Sequence, residues 1–211
     1  MEYIKQSELS FLGKGAIGNV YKYLKPYGSY GLDVVVKVTR NARQSIANYE
    51  KLREIACPKP FACLCSVEGQ EAILVENLYT DSIVYVSPNS LRLDRLDNIP
   101  EGYLCGHKIL GIANMNSLLC QIRDLVHCSN DKGIELTIDM PFFGVPKNVD
   151  IPDVSYKIVD VDGMLWDDSR RGDLFEWNLK EMKWALKIFI QYCVVKNAQK
   201  CLMEQIDKFS W

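Results

Sequence analysis

The chain has 211 residues, of which 48% are hydrophobic, and its 25 basic and 27 acidic side chains give a formal charge of −2. A chain of this length and apolar content can bury a core as one domain or as two small lobes. The balanced charge gives no basic footprint for DNA or RNA, and no apolar run approaches membrane-spanning length. The opening residues have no apolar signal segment, so we expect a soluble, cytoplasmic protein.

Eight cysteines occur in the sequence, and an even number can indicate a disulfide framework. None of them forms a C-x-x-C pair, and neither Cys63 with Cys65 nor Cys105 with His107 has the spacing of a structural zinc site. The lack of a leader segment also argues against an oxidising compartment. We therefore expect free, buried thiols.

Glycines at 13, 15 and 18 form a G-x-G-x-x-G pattern in the stretch GKGAIGNVYKY. A residue without a Cβ lets backbone amides approach phosphate oxygens closely. In a dinucleotide-binding fold such glycines open a helix. Here residues 19–23 alternate and are rich in β-branched and aromatic side chains, and VVVKVT follows after Pro and Gly turn signals. The pattern predicts a loop that joins one strand to another.

The second of these strands contains a single cation, Lys37, within an apolar run. Burial of an ammonium group costs free energy unless an anion meets it, so this lysine needs an anionic partner. The alternative is a surface lysine on an edge strand. The next segment, residues 43–56, has helical spacing. Together, the glycine loop, Lys37 and this helix resemble the N-terminal half of the protein kinase superfamily.

The resemblance implies roles for the residues that match the kinase motifs. The three glycines would cover the nucleotide phosphates, Val20 would roof the adenine, and Lys37 would contact the α and β phosphates. Glu50, or Glu54 one turn along, would pair with Lys37. The stretch EAILVENL, residues 71–78, resembles the last strand before the hinge, and the alternative is an ordinary core strand. By the resemblance, Val75 would be the gatekeeper, and backbone groups around Glu76 to Leu78 would bind the adenine edge.

Two helices are predicted in the second half of the chain. Residues 115–126 carry an apolar stripe with helical spacing that ends at SNDKG, which resembles the kinase helix before the catalytic loop. Residues 173–198 read as one long apolar helix, which resembles the central helix of the kinase C-lobe. Asp173 stands where that family has an aspartate that braces the catalytic loop.

The region of the catalytic loop can be aligned with the kinase motif H-R-D-L-x-x-x-N in two registers. With Asp139 as the catalytic aspartate, Ile138 replaces the arginine and Gly144 replaces the asparagine. Alignment on FGV instead places Thr137 at the aspartate and Phe142 at the asparagine, so both catalytic side chains are missing. We favour Asp139, because that register keeps the base.

The stretch YKIVDVDG resembles the kinase strand that ends in D-F-G, with Val161 in place of the phenylalanine. Asp160 and Asp162 at a strand end suit a hard cation such as Mg²⁺ or Mn²⁺. Asp162 or Asn148 is a candidate to replace the ligand that is missing at Gly144. The alternative is a turn rich in aspartate.

The sequence therefore predicts an α+β, two-lobed protein-kinase-like fold with a small antiparallel N-lobe sheet and a shortened helical C-lobe. The whole chain, 1–211, would form one kinase-like domain, with the N-lobe at 1–78, the hinge at 76–82 and the C-lobe at 83–211. The short C-lobe resembles minimal kinases that some bacterial pathogens deliver into the host cytoplasm.

The expected activity is transfer of the γ-phosphoryl group of ATP, with Mg²⁺ or Mn²⁺, to a protein serine or threonine, with Lys37 and Asp139 as catalytic residues. The expected partners are ATP and a protein, with neither nucleic acid nor membrane. The alternative is a pseudokinase, a nucleotide-binding or partner-docking module without catalysis.

Overall fold

The computed structural model describes residues 2–14, 18–28, 33–55, 58–78, 82–92, 108–159, 161 and 173–211. The chain divides into two compact units, Met1–Leu78 and Tyr79–Trp211. Among the described residues, no helix is both long and apolar enough to cross a membrane.

The first unit is built on a six-stranded sheet and one α-helix. The strands are β1 (Glu2–Ile4), β2 (Leu9–Lys14), β3 (Gly18–Tyr23), β4 (Val34–Thr39), β5 (Ala62–Val67) and β6 (Gln70–Glu76), and the helix is α1 (Ala42–Glu54). Their order in the sheet is β1-β5-β6-β4-β3-β2. Only β1 and β5 run parallel, and the other neighbouring strands are antiparallel. The glycine loop therefore joins strand to strand, as predicted.

The order of the strands requires the sheet to curl. β1 and β2 lie at opposite edges, although only residues 5–8 separate them. Six strands spaced about 4.8 Å apart would span about 24 Å in a flat sheet. A fully extended chain of five residues reaches only about 18 Å. The sheet therefore curls around its inner face, which holds the core of the unit: Ile4, Tyr23, Val34, Val36, Cys65, Val67, Ala72 and Leu74.

The second unit combines a three-stranded sheet with several helices. The strands are β7 (Ile83–Val86), β8 (Pro141–Pro146) and β9 (Ser155–Ile158), in the order β7-β8-β9. The helices are α2 (Pro88–Arg92), α3 (Met115–Asp131), α4 (Leu174–Cys193) and α5 (Lys196–Lys208). α4 packs against α2, α3 and α5, and it also contacts β8. It is therefore the central helix of this unit.

The apolar stripe predicted on α3 is its buried face, which consists of Met115, Leu118, Leu119, Ile122, Leu125, Val126 and Ser129. The helix ends as SNDKG predicts. Gly133 adopts a φ of 63°, a left-handed conformation that glycine reaches without the steric cost of a Cβ. The N–H of Ile134 then donates to the carbonyl of Ser129 at 2.8 Å, so the chain leaves the helix in a fixed direction.

The prediction of one helix over residues 173–198 is wrong, because α4 ends at Cys193 and α5 begins at Lys196. Val194 is extended, with φ −107° and ψ 148°, and pairs with Ile109. Backbone hydrogen bonds of 3.0 Å join Ile109 N–H to the Cys193 carbonyl and Val195 N–H to the Ile109 carbonyl. These bonds replace the helical ones that the interruption removes.

The described cysteines are free, but they are not uniformly buried as expected. Cys65 and Cys193 are buried, whereas Cys128 and Cys201 are exposed. Burial raises the pKa of the Cys65 and Cys193 thiols to about 12. Both of these thiols are therefore neutral at ordinary pH and act as small apolar side chains.

Candidate active site

One face of the six-stranded sheet carries side chains that the kinase resemblance assigns to nucleotide binding. Val20 on β3 pairs with Lys37 on β4, which pairs in turn with Ile73 on β6. Val35 pairs with Val75. Paired residues, and residues two apart on one strand, point to the same face. These five residues therefore share one surface, the Lys37 face, which lies opposite the inner core. Lys37 has apolar side chains as its paired neighbours on this face.

The described glycines of the loop differ in the space around them, and Gly15 lies outside the described residues. A Cβ added at Gly13 would meet no atom of the described residues within 4 Å. A Cβ added at Gly18 would lie 2.2 Å from the carbonyl oxygen of Val38. The approach of β4 therefore requires a glycine at 18, whereas no described neighbour imposes that requirement at 13.

Glu50, the predicted partner of Lys37, lies on the exposed side of α1. Its carboxylate is 3.0 Å from Arg53 in an ion pair. The buried side of the helix consists of Ala42, Ser45, Asn48, Tyr49 and Leu52. The pairing of Glu50 with Lys37 stays a prediction, and the side chain of Glu54, the second candidate, lies outside the described residues.

The backbone at the end of β6 is held within the first unit. The N–H of Glu76 donates to the carbonyl of Phe61 at 2.8 Å, and the N–H of Asn77 donates to the carbonyl of Asp33 at 2.9 Å. The Asn77 side chain also donates to the Asp33 carboxylate at 2.9 Å. Leu78, the next residue along, is the remaining predicted donor to an adenine edge.

In the second unit, residues 134–140 connect α3 to β8 and are here named the Asp139 loop. Asn178 on α4 is fully buried and bonds to two backbone groups of this loop. Its Oδ1 accepts from Leu136 N–H at 2.7 Å, and its Nδ2 donates to the Ile134 carbonyl at 2.9 Å. This amide therefore satisfies two polar groups that would otherwise be buried without a partner.

Glu181 supplies a second anchor. It lies one turn after Asn178 on α4, it is buried, and its Oε2 accepts from Ile138 N–H at 3.0 Å. Asp173, predicted to brace the loop, does not do so through any described contact. Its carboxylate instead accepts from the N–H groups of Phe175 and Glu176, which caps α4. The carboxylate of an N-cap residue is occupied by the free N–H groups of the first helical turn. The contacts to the Asp139 loop come instead from Asn178 and Glu181, further along α4.

Asp139 is the third residue of a four-residue turn. The N–H of Met140 donates to the carbonyl of Thr137 at 3.1 Å and closes that turn. The hydroxyl of Thr137 donates to Oδ1 of Asp139. This bond orients the Asp139 carboxylate from within its own turn. The Asp139 side chain is half-buried.

The start of β8 and the end of β9 lie side by side, since Pro141 pairs with Ile158. Val159, which follows β9, donates its N–H to the carbonyl of Met140 at 2.8 Å. Asp139 precedes Met140 in the chain, and Asp160 follows Val159. Asp160 and Asp162 lie outside the described residues, among which no cluster of three or more metal-ligating side chains occurs.

The loop after Asp139 is short, since β8 begins at Pro141. Gly144, at the predicted asparagine position, is in the middle of β8, where a Cβ would lie 2.7 Å from the ring of Tyr85. Asn148 follows the far end of β8, and the strand alone spans about 17 Å. The suggestion that Asn148 replaces the missing ligand is therefore wrong.

Neither a comparison with protein-family models nor a comparison with curated proteins gives a match. Solved structures that match the chain include the crystal structure of CtkA, a proinflammatory kinase of Helicobacter pylori. The two chains are 11% identical, the match covers 98% of this chain and 93% of that one, and the TM-score is 0.53. At this identity the likeness shows the fold alone. The predicted α+β, two-lobed, kinase-like fold is confirmed.

Proposed function

We propose that the chain is an ATP-dependent protein kinase that uses Mg²⁺ or Mn²⁺ and phosphorylates serine or threonine hydroxyls of a protein in the cytoplasm. The observation that carries the proposal is the Asp139 loop, in which a carboxylate sits on a turn anchored to buried side chains of a central helix. Phosphoryl transfer needs positioning and charge stabilisation more than covalent chemistry. A held aspartate in a kinase-like fold suits that need.

The residues of the chain take the following roles in the proposal. The Lys37 ammonium binds the phosphates, and Val20 packs against the adenine. A glycine at 13, with no described atom within 4 Å of its Cβ position, suits close approach of a phosphate to the backbone. Asp139 orients the acceptor hydroxyl and takes its proton. A divalent cation, held by Asp160 with or without Asp162, neutralises phosphate charge.

A second candidate function is a pseudokinase that binds nucleotide or a partner without catalysis. The short loop favours it, because β8 begins at Pro141 and leaves Gly144 in place of a metal-binding asparagine. Ile138 in place of an arginine also departs from the kinase motif.

Replacement of Asp139 distinguishes the two functions. We expect the purified parent protein to phosphorylate itself or casein from radiolabelled ATP with Mg²⁺ or Mn²⁺. Asp139→Ala should lower the rate by about 10²-fold or more, because general base catalysis is lost. Its ATP affinity by calorimetry should stay at the parent value, because the carboxylate acts on the acceptor. A parent protein that binds ATP but transfers no phosphate with either metal would support the pseudokinase.

Replacement of Lys37 tests the nucleotide site. Lys37→Met should weaken ATP binding by about tenfold or more, because it removes a cation that meets phosphate. Lys22→Met is the matched control, since Lys22 pairs with Val35 on the same face and is exposed. Calorimetric titration with Mg·ATP measures both variants. Equal ATP affinities of the parent and Lys37→Met would contradict the proposed role of Lys37 in phosphate binding.

A further inference from the structure

The Thr137 hydroxyl occupies a fixed position beside the Asp139 carboxylate. The residues on either side of Thr137 are both held from α4, Leu136 by Asn178 and Ile138 by Glu181. The carbonyl of Thr137 accepts the hydrogen bond that closes the turn. The hydroxyl therefore projects from a backbone that is anchored at three consecutive residues.

A single hydrogen bond can set the direction of a carboxylate. The Asp139 side chain is free to rotate about Cα–Cβ and Cβ–Cγ unless a contact holds it. The bond from Thr137 to Oδ1 fixes these rotations, and with them the direction of Oδ2. Misplacement of a reacting group by about 1 Å can cost about 10²-fold in rate.

We infer that Thr137 is a positioning residue for phosphoryl transfer: its hydroxyl holds Oδ1 of Asp139 so that Oδ2 faces the acceptor hydroxyl. The inference rests on the proposed kinase activity. The acceptor oxygen forms a bond to the γ-phosphorus as the bond from that phosphorus to the bridging oxygen of ADP breaks. The hydroxyl proton moves to Oδ2 of Asp139. Thr137 itself exchanges no proton with the substrate.

Two substitutions test this role. Thr137→Val keeps the shape of the side chain and removes the donor, whereas Thr137→Ser keeps the donor. Autophosphorylation from radiolabelled ATP gives kcat and the KM for ATP. We expect Thr137→Val to lower kcat by about tenfold with an unchanged KM. Thr137→Ser should stay within about twofold of the parent.

A purely structural role would produce a different result. It would lower the thermal unfolding midpoint and weaken ATP binding together, without a selective fall in kcat. Thr137→Ala serves as the second variant if the valine variant is unfolded at the assay temperature. An active parent with an unaffected Thr137→Val overturns the role of Thr137 alone. A parent that transfers no phosphate overturns the proposed function and this inference together.

Discussion

Gly13 and Gly18 belong to the same glycine-rich loop, and different neighbours surround them. The carbonyl of Val38 occupies the space where a Cβ of residue 18 would lie. Among the residues that the structure describes, no atom lies in the corresponding space at residue 13. The G-x-G-x-x-G motif assigns both glycines to phosphate binding. The packing of β3 against β4 already requires Gly18, whether or not a phosphate binds.

Alanine at each position should separate these two requirements. Gly18→Ala should destabilise the nucleotide-free protein by about 1–3 kcal/mol, because β3 and β4 must move apart. Gly13→Ala should change stability by less than about 0.5 kcal/mol. It should nevertheless weaken ATP binding, since a methyl group would enter the space proposed for a phosphate. Urea unfolding and calorimetry measure the two effects, and equal stability of the two variants would contradict this assignment.

Strand periodicity is a firmer guide to the face of a side chain than helical spacing is. Strand alternation has a period of two, so Val35 and Lys37 could be assigned to one face from the sequence. Val20 joins that face through the register of β3 and β4. A helix has no such fixed alternation, and a shift of one position moves a side chain from the buried to the exposed side. Tyr49 is buried and Glu50 is exposed. Helical spacing alone could not decide between adjacent positions.

Helix α4 combines two tasks, since it packs in the core of the second unit and holds the Asp139 loop. Asn178 and Glu181 are three residues apart and therefore lie on the same side of the helix. Both are buried in a helix whose other buried residues are apolar or Cys193. A polar pair at this spacing within an apolar stripe is a signal that was present in the sequence. It was missed because the kinase resemblance assigned the bracing role to Asp173.

Asn178 should contribute strongly to stability. Asn178→Ala leaves Leu136 N–H and the Ile134 carbonyl buried without this partner, which should cost about 2–5 kcal/mol. Asn178→Asp keeps the acceptor for Leu136 and loses the donor, so we expect an intermediate loss. Lys180→Ala, on the exposed side of the same helix, is the control. Urea unfolding measures all three, and an alanine variant as stable as the control would contradict the role of this amide.

The interruption between α4 and α5 could not be predicted locally. The apolar pattern continues through Val194 and Val195, which favours an uninterrupted helix. The residue that competes for their backbone groups is Ile109, more than 80 positions earlier in the chain. Contacts at such a sequence separation leave no trace in periodicity. The same limit applies to the short loop after Asp139, whose length depends on where β8 begins to pair with β9.

At the scale of the whole molecule, the buried Ile138 bears on regulation. In many kinases an arginine at this position receives a phosphate of the activation loop, and the new ion pair orders that loop. Ile138 is 7% exposed, and its N–H is bonded to Glu181. Neither its side chain nor its backbone donor can take that phosphate.

The protein, if it is a kinase, should therefore be active as synthesised. Phosphatase treatment, followed by removal of the phosphatase, should leave the initial rate of casein phosphorylation unchanged within about twofold. Prior incubation with another kinase should not raise that rate, because Ile138 offers no cation to a phosphate. Activity that appears only after such incubation would contradict this expectation.

The place of β1 in the curled sheet has a consequence for the order of folding. β2 pairs with β3, and β3 with β4, across short connections, whereas Glu2 pairs with Cys65 on β5. Closing a loop of about 60 residues is slower than forming a local hairpin. Until that closure, the outer edge of β5 presents unpaired N–H and C=O groups, which can template association with another chain. The three residues of β1 therefore arrive late, and their arrival covers the Cys65–Val67 part of that edge with a strand half as long as β5.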